Sequence, residues 1–275
     1  MTPRTTITLI ALATLAIAAV VLRLLIGLPD DLPDEIRAQA LSLRWMRVGA
    51  GASVGVCLAV AGVLMQSLMR NPLASPDLMG MSSGAGLAVM LARAGAASLP
   101  ATAGQWIGGG AWETIPALVG ALGTLTLVWT LSQRRGLVDP VSLVLIGVVV
   151  GILCGAGIGL VQHLSPTTPG GVSVRMLIGT LSDETTKPEL LAAGIFALLG
   201  VAVGMKAGPA MDAGALEPDE AASVGVRVGR LRVVLLLTSG ILTAVAVVLA
   251  GPLGFVGLIC PHIVRLLAPG AGGTG

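Results

Sequence analysis

Long apolar runs joined by short polar connections are the feature that most constrains the fold of this chain. A helix rises 1.5 Å per residue, so about 20 apolar residues cross the roughly 30 Å of hydrocarbon in a bilayer. Only 11% of the 275 residues are charged, against about 25% in soluble domains. The sequence therefore predicts an all-α polytopic membrane protein with about eight transmembrane helices, near 7–28, 46–69, 78–97, 114–131, 141–161, 190–205, 231–249 and 253–267. A shorter surface helix is predicted near 172–181.

Small residues dominate the apolar runs. The chain has 39 glycines, two phenylalanines and no tyrosine, and helices in a bilayer associate through close backbone approach at such residues. Two runs carry glycine at every fourth position, namely Gly51 and Gly55 in one and Gly147, Gly151, Gly155 and Gly159 in the other. The spacing is typical of a helix-packing face and equally of a helix that lines a translocation pathway.

The arginines and lysines favour a cytoplasmic N-terminus, because basic loops are retained on that side of the membrane. With this orientation the cytoplasmic loops hold the basic clusters "QRRG" and "GVRVGRLR". The basic residues on that side are Arg4, Arg70, Arg134, Arg135, Lys206, Arg227, Arg230, Arg232 and Arg265.

Side chains that carry out catalysis are missing from the predicted spans. Every Asp and Glu lies in or beside a predicted loop, and the two histidines lie at span ends. The three cysteines lie far apart and have no CxxC spacing, the pattern that would indicate a metal or redox site. We therefore predict no catalytic residue, bound cofactor or metal site. Gln162 and His163, at the outer end of a span, are candidates for contact with a substrate or simply for contact with water.

The chain also lacks a nucleotide-binding loop. A P-loop requires GxxxxGK[ST], and the only lysines, Lys187 and Lys206, are followed by Pro188 and Ala207. If transport is driven by ATP, a partner polypeptide must bind and hydrolyse it.

The stretch "GVLMQSLMRNPLASPDLMGMSSGAG" (62–86) interrupts two apolar runs. Pro72 and Pro76 stop a helix by removing backbone donors and restricting the preceding residues. Polar side chains at the same point favour the aqueous boundary. The sequence predicts a cytoplasmic turn at Arg70, Asn71, Pro72 and Leu73.

The same residues carry a resemblance. "RVGAGASVGVCLAVAGVLMQSLMRNPLASPDLMGMSSGAGLAVML", "LEPDEAASVGVRVGRLRVVLLL" and "AGPLGFVGLICPHIVRLL" resemble, in order and spacing, three segments of the FecCD/BtuC family. Its members are permease subunits of ABC importers for iron-siderophores, haem and vitamin B12. The resemblance implies the roughly ten-helix type II importer permease fold, in the bacterial cytoplasmic (inner) membrane.

The resemblance also implies partners. They are a second permease subunit, identical or not, two ATPase subunits that use ATP inside the cell, and a periplasmic or lipid-anchored substrate-binding protein. Membrane lipid surrounds the chain, and the net charge of +2 gives no reason to expect a nucleic acid. The substrate would be an iron-siderophore or a related metal chelate.

Two sites follow from the resemblance residue by residue. An ATPase-coupling segment lies within the cytoplasmic loop 206–230, at Glu217, Asp219, Glu220, Ala221, Ser223, Val224, Gly225 and Val226. A cytoplasmic gate corresponds to Asp139, Pro140 and Val141.

The family pattern further implies one transmembrane domain over 1–275, with a first repeat at about 44–162 and a second at about 231–275. Relatives continue with two more helices, whereas here Arg265 is followed by the Gly-rich "LLAPGAGGTG". We therefore expect a truncated second repeat and a chain that is inactive in transport by itself. A naturally shortened variant is the alternative.

Two other functions remain open. A secondary transporter would need an ion-coupling residue inside the membrane, and a membrane enzyme or receptor would need paired carboxylates or a nucleophile with its base. Co-purification of an ATPase subunit separates the importer permease from both.

Overall fold

The computed structural model describes residues 3–27, 33–97, 113–134, 137–138, 140–164, 178–181, 185–214 and 227–267. Eight helices have both ends within these residues: α1 Pro3–Leu25, α2 Asp34–Met69, α3 Met81–Ala97, α4 Thr114–Leu131, α5 Pro140–Leu164, α6 Lys187–Gly214, α7 Val228–Ala250 and α8 Val256–Leu267. Between α4 and α5, β1 (Gln133–Arg134) pairs antiparallel with β2 (Leu137–Val138).

Each predicted apolar run corresponds to one of these helices, which confirms the all-α polytopic fold. Six of the helices in the described part of the chain are long and apolar enough to cross a membrane. The other two are α3, with 17 residues, and α8, with 12. At 1.5 Å per residue α8 reaches only about 18 Å, so it cannot cross the bilayer alone.

Helix α2 begins at Asp34, twelve residues before the apolar run that predicted it. The added turns carry Asp34, Glu35 and Arg37. Acidic residues in a first turn are favourable because they face the positive end of the helix dipole. A search for apolar runs cannot detect such polar turns, and so the predicted start was wrong.

The core forms around α7, which contacts α2, α3, α4 and α6. One cluster of buried side chains joins α3, α4, α5 and the end of α2, and a second joins α2, α6 and α7. The most apolar part of α1 has no buried residue. The helix is therefore peripheral to the bundle.

Helix α6 continues to Gly214, so residues 206–214, which the sequence placed in the cytoplasmic loop, are its last turns. Lys206 and Asp212 are exposed there. Because their charged side chains can reach water, these last turns can lie beyond the hydrocarbon. Of the predicted surface helix at 172–181, only 178–181 are among the described residues.

Candidate functional site at the junction of two loops

Helix α2 ends at a residue whose backbone adopts the left-handed helical conformation. Arg70 has φ 47° and ψ 35°. Its N–H donates to Ser67 O at 3.2 Å, and the Asn71 N–H donates to Gln66 O at 3.1 Å. This pair of bonds is a Schellman cap. Pro72, which has no N–H, follows and prevents the helix from resuming.

The segment 70–80, called here the α2–α3 turn, is held by its own side chains. Asn71 Oδ1 accepts a hydrogen bond from the Leu73 N–H at 2.9 Å, and Ser75 Oγ accepts one from the Leu78 N–H at 3.2 Å. Gly80 ends the turn with φ 71°, a conformation that suits glycine because it has no Cβ. The interruption predicted from the sequence is a turn in the structure, while the side of the membrane that it faces stays a prediction.

A second irregular segment, 251–255, separates α7 from α8 and is called here the α7–α8 break. It begins at Gly251 (φ 68°) and ends at Phe255 (φ 65°). Phe255 O accepts hydrogen bonds from Leu258 N–H at 3.1 Å and Ile259 N–H at 2.9 Å. Phe255 is therefore the N-cap of α8, in a conformation that is unfavourable for an aromatic residue.

Close glycine contacts bring α8 onto α2. A Cβ built on Gly62 would lie 1.9 Å from Gly257 O, and one built on Gly257 would lie 3.0 Å from Leu58 O. Pro261, one turn later, has no N–H to donate to the Gly257 carbonyl. That carbonyl lies against Gly62, where only a glycine leaves room for it.

The α2–α3 turn meets the start of α8 through two side chains. Pro76 Cδ lies 3.2 Å from a Cβ built on Gly257, and Asp77 Oδ2 lies 3.2 Å from a Cβ built on Gly254. Burial raises the pKa of Asp77, and the nearby Phe255 N–H opposes the rise. The two motifs "RNPLASPD" and "GPLGFVGL", more than 170 residues apart in sequence, thus form one junction.

The opposite end of α2 lines an arginine-rich cavity. Its volume is about 380 Å³, and a neighbouring cavity of about 370 Å³ shares Arg23 and Arg47 with it. The larger cavity is lined by Arg23, Ala40, Leu43, Arg44, Met46, Arg47 and Thr185. Arg44 and Arg70 are 26 residues apart, or about 39 Å along the helix. The two polar ends of α2 are therefore separated by more than the thickness of the hydrocarbon.

The glycines of the two predicted faces divide into two groups. A Cβ on Gly147 would lie 2.4 Å from Leu78 O, and Cβ atoms on Gly51 and Gly151 would meet neighbours at 3.5 and 3.6 Å. No described residue lies within 4 Å of a Cβ on the others, which are Gly55, Gly155 and Gly159. The first group lies at helix contacts, and the second has no such contact with the described residues.

The remaining predicted site residues lie either at the ends of helix α5 or outside the described residues. The coupling residues from Glu217 to Val226 and the gate residue Asp139 are outside the described residues. Pro140 is the first residue of α5, a position where its missing N–H has no cost, and Val141 is 75% exposed. Gln162 and His163 lie in the last turn of α5, half-buried and exposed respectively.

Sequence reasoning missed two buried polar features. Arg93 of α3 forms an ion pair with Glu113, whose side chain is 4% exposed, at the start of α4. Gln66 of α2 is buried, and neither atom of its amide has a hydrogen-bond partner among the described residues. Arg93 falls inside the predicted span 78–97, so its position there was the available signal.

Comparisons with known proteins agree with this architecture. The sequence profile of the FecCD transport family matches residues 4–273. The hemin transport system permease protein HmuU of Yersinia pestis is 34% identical over 226 residues, which are 82% of this chain and 66% of HmuU. The vitamin B12 import system permease protein BtuC of Serratia proteamaculans is 34% identical over 82% of this chain and 64% of BtuC.

A third relative, the ferric enterobactin transport system permease protein FepG of Escherichia coli, is 32% identical over 88% of this chain and 70% of FepG. The chain thus spans about two thirds of the length of the curated relatives it matches. A solved structure of a metal-chelate type ABC transporter, in an inward-facing conformation, superposes with a TM-score of 0.75 and 26% identity, over 98% of this chain and 82% of that one. The chain belongs to the FecCD transport family.

Proposed function

We propose that the chain is a permease subunit of an ABC importer and forms part of the pathway through which an iron-siderophore or related metal chelate crosses the membrane. The observation that carries the proposal is the family match over 4–273 together with the superposition on a metal-chelate type ABC transporter. The named relatives are permeases for hemin, vitamin B12 and ferric enterobactin, and these differ too much to select one substrate.

The energy would come from a separate ATPase, since the sequence has no P-loop. Two ATPase subunits would dock on the segment 216–229, between α6 and α7. A second permease subunit would complete the pathway, and a substrate-binding protein would deliver the chelate to the opposite face.

In this arrangement the N-terminus and the α2–α3 turn face the cytoplasm of a bacterial cell. The arginine-lined cavity would then open on the outer side, because α2 separates it from the turn by about 39 Å. The distribution of basic loops supports this orientation.

The decisive experiment is co-purification. The full chain is expressed with the ATPase subunits encoded beside its gene, extracted in mild detergent and isolated by a tag on the permease. A stoichiometric ATPase in the eluate supports the proposal. Glu220→Lys, at the proposed docking segment, should remove the ATPase, whereas Glu35→Lys, at the distant end of α2, should retain it. A permease that retains no ATPase in any background would contradict the proposal.

The substrate is then identified with the assembled importer in liposomes that contain ATP. Hemin, ferric enterobactin and cyanocobalamin are supplied in turn, each with its own binding protein, and accumulation inside the liposomes is measured. Uptake that follows an imposed ion gradient and ignores ATP would instead identify a secondary transporter.

A further inference from the structure

The start of α8 is held in an unfavourable conformation that its own residues do not explain. Phe255 has φ 65°, yet its side chain is 57% exposed, so packing of the ring offers little compensation. A phenylalanine cannot cap a helix with its side chain. In the first turn of α8 the Val256 N–H donates to Gly254 O at 2.9 Å and the Leu258 N–H donates to Phe255 O at 3.1 Å, but these local bonds do not remove the backbone strain at Phe255. Some other part of the chain must stabilise this end.

Asp77 provides that stabilisation from another loop. Its carboxylate lies beside Gly254, with Oδ2 3.2 Å from a Cβ built on that glycine, and close enough to the Phe255 N–H for that group to lower the pKa of Asp77. An anion at this position also interacts favourably with the positive end of the α8 dipole. Asp77 thus takes the place of the acidic residue of a capping box, which lies beside the N–H of the N-cap residue, although 178 residues separate it from Phe255.

The position of Asp77 is fixed in turn by the loop that carries it. The Gly80 N–H donates to Asp77 O at 2.9 Å, and the Met81 N–H donates to Pro76 O at 3.2 Å. Pro76 packs on Gly257 in the first turn of α8. The carboxylate therefore extends from a rigid turn that already contacts α8.

We propose that Asp77 is a positioning residue of the permease, which holds the α7–α8 break and the start of α8 against the α2–α3 turn so that the two loops act as one unit. Its role in transport rests on the proposed function, whereas its action as a cap can be measured on the permease alone. Breaking the contact should free the start of α8 while the helices around it stay folded.

The test measures a distance across the junction. Spin labels are attached to Leu73→Cys and Ile259→Cys, both exposed positions, in a full-length chain that carries Cys57→Ala, Cys154→Ala and Cys260→Ser. The purified chain is placed in lipid nanodiscs, and the distance distribution is recorded by pulsed electron paramagnetic resonance. No ATPase or substrate is needed, so a failure of the proposed function would not affect this result.

With Asp77 present, a single narrow distribution is expected. Asp77→Ala should abolish it and give a broad one, whereas Asp77→Asn, which keeps an acceptor oxygen, should restore it. Phe255→Gly should also restore it in the Asp77→Ala background, because glycine adopts positive φ without strain. Glu35→Ala is the matched control, since it removes an exposed carboxylate from the first turn of α2, and it should leave the distribution narrow.

Three outcomes would overturn the proposal: a narrow distribution in Asp77→Ala, an Asp77→Asn distribution as broad as that of Asp77→Ala, or no restoration by Phe255→Gly. If Asp77→Ala does not accumulate in the membrane, Asp77→Ser, whose side chain is too short to reach Phe255, is judged by the same criteria.

Discussion

At the scale of single residues, one arginine of α2 holds the C-terminal end of α1. The Arg44 guanidinium donates hydrogen bonds to the carbonyls of Arg23, Leu24, Ile26 and Gly27 at 2.8 to 3.2 Å. The last carbonyls of a helix have no partner inside it, and a cation there also meets the negative end of the dipole. Because α1 buries so little apolar surface, this cap is a large part of its attachment.

Replacing Arg44 with Met should therefore loosen α1 and lower the stability of the protein by about 1 kcal/mol, the value typical of a partly exposed charged cap. Thermal unfolding in detergent, followed by tryptophan fluorescence, measures the loss. Arg37→Met removes an exposed arginine from the same helix and should change little. Equal effects in the two variants would show that the cap is not what stabilises α1.

At the scale of helices, the crossing of α2 and α8 depends on one glycine. A Cβ on Gly62 would lie 1.9 Å from a backbone oxygen of α8, whereas a Cβ on Gly55, two turns earlier, would meet none of the described residues within 4 Å. Gly62→Ala should cost about 1 to 3 kcal/mol by forcing the helices apart. Gly55→Ala should be neutral or stabilise by up to about 1 kcal/mol, because alanine favours the helix. Melting temperatures of the two purified variants test the contrast.

Helix α5 offers a second pair of glycines for comparison, one at a close backbone contact and one without such a contact. Gly147 lies against the backbone of the α2–α3 turn at Leu78, while Gly155 has no described residue within 4 Å of the Cβ that a substitution would add. Gly147→Ala should lower the melting temperature, whereas Gly155→Ala should preserve it. If Gly155→Ala preserves stability but impairs transport in the assembled importer, its face lines the pathway; a variant with full transport would argue against that interpretation.

At the scale of the whole molecule, α2 determines which surfaces face each side of the membrane. Leu73, at its C-terminal turn, is 62% exposed, whereas Ser75 is buried and unsuitable for labelling. In intact cells that produce a chain without native cysteines, an impermeant maleimide should label Gln39→Cys, near the start of α2. It should reach Leu73→Cys only after the cells are opened. The reverse pattern would invert the proposed topology.

Coupling between the permease and the ATPase is also a property of the whole molecule. Gly225→Trp should abolish substrate-stimulated ATP hydrolysis by the assembled importer and leave the permease inserted, because a bulky side chain in place of glycine would disturb the proposed docking segment. The amount of membrane-inserted permease is the control. Normal stimulation in Gly225→Trp would argue against coupling at 216–229.

Much of the architecture could be predicted from apolar runs, because a bilayer demands about 20 apolar residues per helix and penalises charge. The position of the turn at 70–73 could be predicted because Pro72 cannot continue a helix. The start of α2 could not, since its first turns are polar and lie outside the hydrocarbon. Sequence reasoning missed the ion pair of Arg93 with Glu113 because it considered each residue only within its own stretch of sequence. It could not tell that the two stretches pack together.

The sequence by itself determined which described segments form apolar helices and where most of these helices end, since both depend on local hydropathy and on residues such as Pro72 and Gly80. Only the tertiary structure decided which small residues are contacts: Gly62 and Gly147 lie against backbone atoms of distant segments, while Gly55 and Gly155, at the same kind of spacing, do not. It also decided that Asp77 caps α8. A contact between residues 178 positions apart depends on how the helices cross, and no local pattern encodes that geometry.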